Sequence, residues 1–342
     1  QNLGSTNENP SVGCIIVKDG AVISSGVTSI KGRPHAEVNA LNKNKNFYGS
    51  SMYVTLEPCV HYGKTSPCIK SILKKGIKKV YYPILDFDSR TRNKAKKILQ
   101  KNKIKVKIGT LRKNAIDFYK SYSLFKSKKS LPLIDIKVAI SKDYFSVNKN
   151  NKWITNQSSR EKVHLLRSKY DCILSTYKTV NKDNSMLNCR VKGLEKRSPS
   201  RVIIDKNLKL KKKLKIFKTS KTIRTYIIAD CINNNEKKFY KSKNVKLIQI
   251  KNQSGYFSFK DIFYKLKKLG FSRILCETGF CTSNLLIKKK LINNLYVFKT
   301  SNGIGPLGKN SYAKLFKNLK YKKKEKINVN LSGDQLYKYK IK

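Results

Sequence analysis

Apolar positions along the chain fall into two successive series of strand and helix patterns. Residues 12–17 and 21–26 are apolar-rich runs separated by Lys18-Asp19-Gly20, and an Asp-Gly pair between such runs predicts a tight hairpin. Helical spacing follows at 35–43, then a strand at 51–55, a helix at 67–75, a strand at 78–83, a helix at 93–102 and a strand at 105–108. Residues 121–131 are polar and basic and end at Pro132, which predicts a linker. The second series opens with a strong strand at 133–141. A helix at 158–168 follows, capped by Ser158 or Asn156, then strands at 172–175, 202–205, 225–229 and 245–250. A helix at 259–269 stopped by Gly270, a strand at 273–276, a helix at 282–290 and a strand at 294–299 complete it. The charge run 209–215 reads as a solvated loop or edge. Such alternation predicts α/β layering around a largely buried sheet in each half, and the halves do not repeat one another. The expected division is a domain at 1–122, a linker at 123–131 and a domain at 132–342.

Composition narrows the class. The 342 residues suffice for two domains with their own cores, and 39% of them are hydrophobic. No apolar run is long enough to cross a bilayer, and the start shows no signal-peptide pattern. The chain begins at Gln1 with its first strand near Val12, so preceding sequence, including a helix, is expected. The eight cysteines show no disulfide-framework spacing, which predicts a reduced, cytoplasmic protein without a membrane segment. The formal charge of +56 comes from 65 Lys and only 11 Arg, dispersed along the whole length among many Asn, Ile and Tyr. That is the signature of an AT-rich genome and a solvated lysine surface. Arg clusters with interleaved aromatics are missing, so no specific nucleic acid is expected, although the field should attract a phosphorylated substrate.

The chemistry is concentrated in His35-Ala36-Glu37, Pro58-Cys59 and Pro67-Cys68. One imidazole and two thiolates suit a tetrahedral Zn²⁺ that keeps a fourth position for water, and a neighbouring Glu37 can carry protons without ligating. Zinc acidifies water enough for attack on an amino-bearing carbon of a pyrimidine or purine near neutral pH. Pro34 is expected to begin a helix that holds His35 and Glu37 together. Cys59 should lie just past a strand and Cys68 at a helix start. In the second half, the strand ending at Cys276 runs into Glu277-Thr278-Gly279 and a helix, a turn whose N–H groups can hold phosphate.

The surroundings of these motifs resemble a known family. Asn9-Pro10-Ser11-Val12-Gly13-Cys14, Gly32-Arg33-Pro34-His35-Ala36-Glu37-Val38-Asn39-Ala40-Leu41 and Thr55-Leu56-Glu57-Pro58-Cys59-Val60-His61-Tyr62-Gly63-Lys64-Thr65-Ser66-Pro67-Cys68 resemble the deaminase half of the bifunctional riboflavin-biosynthesis deaminase and reductase family. Eight residues between the cysteines, rather than two, set it apart from nucleoside and tRNA deaminases. Lys152-Trp153-Ile154-Thr155, Leu165-Leu166-Arg167, the stretch from Thr179 to Arg190, Arg201-Val202-Ile203-Ile204-Asp205 and Glu277-Thr278-Gly279 resemble the reductase half.

The resemblance implies an N-terminal cytidine-deaminase-like three-layer α/β/α domain and a C-terminal dihydrofolate-reductase-like α/β domain. It implies one Zn²⁺ per deaminase domain on His35, Cys59 and Cys68, with Glu37 as the catalytic proton carrier. It also implies NADPH, a phosphorylated pyrimidine as substrate, and a homo-oligomer formed through the reductase domain. The activities implied are deamination of a diaminopyrimidine ribosyl phosphate, then reduction of its ribosyl group to ribityl. The matching positions assign substrate contacts to Asn9, His61, Asn151, Arg167, Leu187, Arg190 and Glu277. NADPH contacts fall to Ala139, Trp153, Thr179, Asp183, Gly279, Phe280, Cys281, Thr282, Ser283, Asn284 and Leu285. For Trp153 the other reading is core packing, for Arg167 a surface ion pair, and for His61 a surface histidine. Ser185, Thr278 and Phe280 depart from the family pattern by removing a proline and adding side chains at a phosphate turn. They leave a deaminase with a weak or lost reductase as an alternative. An RNA-binding base deaminase stands third, against the cysteine spacing and the second half.

Overall fold

The computed structural model describes residues 2–251 and 257–342. The chain forms two compact units, Gln1–Ser130 and Leu131–Lys342.

In the first unit β1 (Gly13–Lys18) and β2 (Ala21–Val27) form the expected hairpin, with Asp19 at φ 48° and Gly20 at φ 78° as its two turn residues. There follow α1 (Ala36–Leu41), β3 (Ser51–Val54), α2 (Cys68–Lys74), β4 (Lys79–Tyr82), α3 (Ala95–Lys101) and β5 (Lys105–Ile108). The sheet order is β2-β1-β3-β4-β5, antiparallel up to β3 and parallel beyond it. Cys14, Ile16, Met52, Val54 and Val80 alternate onto one face and share a core with Ala36, Ala40, Ile69, Ile72 and Leu99 of the helices. Gly26 sets how closely α1 approaches this sheet. A Cβ there would lie 2.3 Å from the Ala36 carbonyl oxygen and 2.5 Å from the Ala40 nitrogen. Asn39 donates to the Val27 carbonyl at 2.7 Å and fixes the same helix to the end of β2.

Two further helices follow β5: α4 (Arg112–Phe118), which the sequence pattern did not mark, and α5 (Lys120–Lys126), which runs into the segment read as a linker. Ala115, Tyr119 and Tyr122 carry an apolar face into the core, which their basic neighbours conceal in the sequence. The division falls after Ser130, so the connection is shorter than the expected 123–131.

The second unit runs β6 (Leu133–Ile140), β7 (Phe145–Asn148), α6 (Gln157–Arg167), β8 (Cys172–Thr176), α7 (Tyr177–Asp183), β9 (Ser200–Ile204), α8 (Lys215–Lys218), β10 (Thr225–Ala229), α9 (Asn234–Ser242) and β11 (Val245–Gln249). It continues with α10 (Phe259–Lys268), β12 (Arg273–Cys276), α11 (Phe280–Lys288), β13 (Asn294–Lys299), β14 (Gly308–Ser311), α12 (Ala313–Lys317), β15 (Lys323–Ile327) and β16 (Gln335–Lys340). Nine strands form one sheet in the order β11-β10-β9-β8-β12-β6-β13-β16-β15. It is parallel from β11 to β13, and β16 and β15 are antiparallel. A separate two-stranded ribbon pairs β7 with β14.

The parallel strands are buried on both faces, which explains their unbroken apolar runs. Val202 and Ile228 pack with Ile262, Phe263 and Leu286 of α10 and α11, whereas Ile203 and Ile227 pack with Val180 and Tyr240 of α7 and α9. Asn156, not Ser158, caps α6 by accepting from Ser159 N. The 209–215 run is a loop up to α8, but Leu210 and Leu214 are buried, and the Asp205 carboxylate accepts from Lys209 N and Leu210 N at 2.8 Å each. Among the described residues no helix is long and apolar enough to cross a membrane.

Arg201 is fully buried, and among the described residues it has no carboxylate partner. Its guanidinium donates to Thr225 Oγ1, Thr219 Oγ1 and the carbonyls of Met186 and Ile223, at 2.7–3.2 Å. Burial pulls its pKa down to about 10. Lysine has neither the fork nor the donor number to satisfy these acceptors. Arg201→Lys is therefore expected to cost roughly 3 kcal/mol in the second unit's urea transition, and a loss under about 1 kcal/mol would show that the fork is dispensable.

Candidate active sites

In the first unit the metal-type residues converge. His35 Nδ1 lies 3.5 Å from Cys59 Sγ and 3.3 Å from Cys68 Sγ, and the three donor atoms all lie within 4.8 Å of one another. Tetrahedral zinc with bonds of about 2.0–2.3 Å needs donors about 3.3–3.8 Å apart, so the set fits that metal. Pro34 does not start the helix: Ala36 does, and His35 is an extended N-cap residue. This leaves the imidazole turned toward the thiols while Glu37 sits in the first turn. Cys68 opens α2, and its backbone N–H donates to Cys59 Sγ at 3.2 Å. The pairing with Cys68, helped by His35, holds the Cys59 thiol down at about 4, the ionised form a metal requires. His35 Nε2 is buried with no partner.

Glu37 is 4% exposed. Burial, with the Cys59 charge, pushes its carboxyl up to about 7, and it reaches the Cys68 thiol. A carboxyl poised near neutrality can take and return a proton. Asn9 donates to the Gly32 carbonyl at 3.2 Å, just ahead of Arg33 and Pro34. His61 is partly exposed, and its Nδ1 meets Thr91 Oγ1 at 2.9 Å, with Thr91 fully buried. Burial and the charge of Arg90 lower its pKa.

The residue behind this arrangement is Glu57, which carried no role in the sequence reading. It is 3% exposed, and its carboxylate accepts from the backbone N–H groups of Asp86, Asn93, Lys94 and Ala95 at 2.9–3.1 Å. One side chain thus caps α3 and clamps the 86–95 loop, which carries Thr91, to the strand end preceding Cys59. Its only signal in the sequence is an acid within an otherwise apolar strand end.

In the second unit Arg167 and Glu277 form a bidentate pair, Nε to Oε1 at 2.7 Å and Nη2 to Oε2 at 3.0 Å. Both side chains are 12% exposed, so Arg167 is not a surface ion pair. Lys137 Nζ stands 3.9 Å from Glu277 Oε2. Burial would raise the Glu277 pKa, but Arg167 and Lys137 outweigh it and hold the carboxyl at about 2. Arg167 Nη1 donates to the Asn188 carbonyl at 3.1 Å, and His164 Nδ1 meets the same oxygen at 2.9 Å. The Asn188 side-chain oxygen is buried without a partner. Arg190 is exposed, and its pKa is lowered by burial of part of the side chain and by Arg167. Lys137 was legible as a lysine inside an apolar strand, and His164 as one of three histidines.

Thr179 and Gly279 come together: Gly279 has φ 79°, and a Cβ there would lie 2.9 Å from Thr179 Oγ1. Gly279 is exposed and precedes the nine-residue α11, a cradle that fits a phosphate-bearing cofactor. The departures from the family pattern turn inward. Thr278 is buried with its hydroxyl 3.2 Å from Ser283 Oγ, and the Phe280 ring packs edge-on to Tyr312 at 4.8 Å. Cys281 and Leu285 are exposed, Thr282 is half-buried, and Asn284 keeps a buried oxygen without a partner. Ala139 shares with Lys137 the face packed by α6. Trp153 is 52% exposed under the Arg160 guanidinium at 4.8 Å, which excludes core packing. Asn151 and Asp183 are exposed, and Asn151 accepts from Trp153 N at 3.1 Å. The Leu187 side chain lies in the core with Ile203 and Leu210, so only its backbone can meet a ligand. The sequence reading missed this because a left-handed residue, φ 47° here, turns its side chain inward.

Burial and the neighbouring Arg167 push His164 from 6.5 down to about 4. As pH falls through this window the unfolded chain binds a proton that the folded chain refuses, so stability falls until both hold it. The loss should reach roughly 3 kcal/mol. The Glu277 contribution is present above its ordinary 4.5 and is lost as pH falls from there toward about 2, so the two windows overlap only between about 4 and 4.5. Denaturant titrations between the two His164 values should show the slope, and His164→Gln should flatten it; an unchanged slope would move the effect elsewhere.

Comparison with known proteins agrees with both units. Residues 132–330 match the RibD C-terminal domain, and residues 1–84 match the cytidine and deoxycytidylate deaminase zinc-binding region. The chain is 32% identical to the riboflavin biosynthesis protein RibD of Aquifex aeolicus over 86% of its own length and 82% of that protein. It is also 32% identical to RibD of Buchnera aphidicola subsp. Baizongia pistaciae, over 91% and 84%. A crystal form of Acinetobacter baumannii RibD superposes with a TM-score of 0.84 at 26% identity, covering 100% of this chain and 95% of that one. The Thermotoga maritima deaminase/reductase gives 0.83 at 27% identity with the same coverage. With a deaminase zinc region in its first unit and a RibD reductase domain in its second, this chain belongs to the RibD family.

Proposed function

We infer that the chain carries out two consecutive steps of riboflavin biosynthesis. The first is hydrolytic deamination of 2,5-diamino-6-ribosylamino-4(3H)-pyrimidinone 5′-phosphate to 5-amino-6-(5-phosphoribosylamino)uracil, and the second is NADPH-dependent reduction of the ribosyl group to ribityl. The observation that carries the reading is the convergence of His35, Cys59 and Cys68 beside a buried Glu37, in a chain whose second unit buries Glu277 between Arg167 and Lys137.

Bound zinc, held by His35, Cys59 and Cys68, supplies the acidity that makes water a nucleophile near neutral pH. Glu37 accepts the proton from that water and delivers it to the departing amine, a transfer suited to a carboxyl near 7. Asn9 and His61 orient the pyrimidine and its ribose phosphate. In the second unit Arg167 has most of its donors committed to Glu277 and Asn188, so it acts chiefly to orient Glu277. The exposed Arg190 is left to take the substrate phosphate. Glu277 engages the sugar hydroxyls, and the Lys137 ammonium is placed to protonate the ring oxygen as the ribose opens. Bound NADPH supplies the hydride, with its phosphates at Gly279 and Thr179 and its remaining contacts at Ala139, Trp153, Asp183 and the start of α11. We place the enzyme in the cytoplasm as a homo-oligomer through the reductase unit; its eight free cysteines fit a reducing compartment.

The test follows ammonia release and NADPH oxidation in one sample given the diaminopyrimidine ribosyl phosphate. Glu37→Gln should lower ammonia release by roughly 10²–10⁴-fold while leaving reduction of the preformed uracil intermediate intact. Arg167→Lys should do the reverse, slowing NADPH oxidation with deamination unchanged. Zinc-replete protein that releases no ammonia and oxidises no NADPH would overturn the assignment.

A further inference from the structure

The reductase unit contains a cavity of about 380 Å³. Its floor is Ile140 at the end of β6 and Val297 on β13, and Phe316 of α12 closes one side. Strand alternation puts this floor on the face of β6 opposite Ala139, packed with α10 and α11 rather than α6. Three ammonium groups line it, those of Lys142, Lys299 and Lys324, together with Tyr144, Tyr337 and Tyr339. Among the described residues no Asp or Glu lines it, and none of the three lysines forms an ion pair. The nearby acids are committed elsewhere. Asp143 accepts from the Ser141 hydroxyl and from Ile304 N and Gly305 N, while Glu325, on the other side of β15 from Lys324, pairs with Lys323 at 2.7 Å.

Two of the ammoniums are already set in place by aromatic faces. Lys299 Nζ lies 4.0 Å from the Tyr144 ring centroid, and Lys324 Nζ lies 4.8 Å and 5.6 Å from those of Tyr337 and Tyr339. Holding long side chains in this way lowers the entropy lost when an anion is bound. Three uncompensated cations around one concavity repel one another, and a phosphate relieves that repulsion while gaining charge-assisted hydrogen bonds. An inorganic anion alone would leave the Ile140, Val297 and Phe316 surface uncovered, and a neutral ring would leave the ammoniums unanswered. The volume is that of a small-ligand pocket.

We propose that this cavity binds a small heteroaromatic monophosphate of mononucleotide size, its ring on Phe316 and the apolar floor and its phosphate among Lys142, Lys299 and Lys324. The inference is independent of the chemistry assigned to the two active sites.

Uridine 5′-monophosphate serves as the probe, titrated calorimetrically into the full-length, zinc-loaded protein beside uridine and inorganic phosphate. The paired variant Lys299→Ala/Lys324→Ala, and separately Lys142→Glu, should weaken binding by roughly tenfold or more. Arg190→Ala and a control pair on the charge run, Lys211→Ala/Lys213→Ala, should leave it within about twofold. Loss with Arg190→Ala and not with the cavity variants would place the binding in the reductase site and overturn the proposal. An equal loss with the control pair would make it a diffuse effect of the lysine surface and overturn it as well. Uridine or inorganic phosphate binding as tightly as the nucleotide would refute the ligand class, and no binding of the nucleotide at millimolar concentration would refute the site.

Discussion

A charge persists inside this protein only where the chain itself answers its lone pairs or protons, and that requirement orders both units. Leaving a buried charge unanswered costs several kcal/mol, on the order of the net stability of a whole domain. Glu57 is answered by four backbone N–H groups, Glu277 by a guanidinium fork with an ammonium nearby, and Arg201 by two hydroxyls and two carbonyls. Each solution fixes backbone that is distant in sequence. Glu57 joins the strand end before the cysteines to the start of α3, and Arg167 with Glu277 joins α6 to the end of β12.

Against that order, the unanswered polar atoms gain meaning. Among the described residues, the buried amide oxygens of Asn188 and of Asn284 on α11 lack protein partners. They stand where a sugar phosphate and a dinucleotide are proposed to bind. Glu37 is the intermediate case. It is buried almost as deeply as Glu57, yet it reaches only a thiol and the N–H of its own residue, and its carboxyl is pushed up to about 7. The same residue type is held as a clamp at 57 by four backbone N–H groups and is left poised near neutrality at 37, where few donors reach it.

How much of this was legible in the sequence depends on whether the signal was local. The Asp19-Gly20 turn, the parallel strands and the ordered His35, Cys59 and Cys68 are written in consecutive residues or fixed spacings, and the structure reproduces them. Glu57 acts through backbone 29 or more residues away, in a loop that no periodicity marks, and Asn188 through Arg167 and His164, 21 and 24 residues back on α6. Helix α5 was hidden because lysines with apolar stems flank Tyr122, so a core-facing helix reads as a basic connector. Trp153 is the opposite case: of its two readings, a cofactor contact and core packing, the second fails because Arg160 covers its ring at the surface.

The turn after β12 shows why a departure from a motif can leave its geometry whole. β12 is buried on both faces, so Cys276 faces α10 and α11 and Glu277 the opposite side with Arg167. α11 begins only three residues later, at Phe280. The chain must reverse within Thr278 and Gly279, and with φ at 79° Gly279 carries the reversal. Thr278 then points back to Ser283, and Phe280, as the first helical residue, turns its ring to Tyr312 in the core. Neither side chain enters the space before the helix N-terminus, so a hydroxyl and a ring are tolerated there. A Cβ at 279 would meet Thr179 Oγ1 at 2.9 Å in a conformation that L side chains rarely adopt. The geometry of this turn therefore depends on the glycine alone, and its neighbours are free to vary as long as the core accepts them.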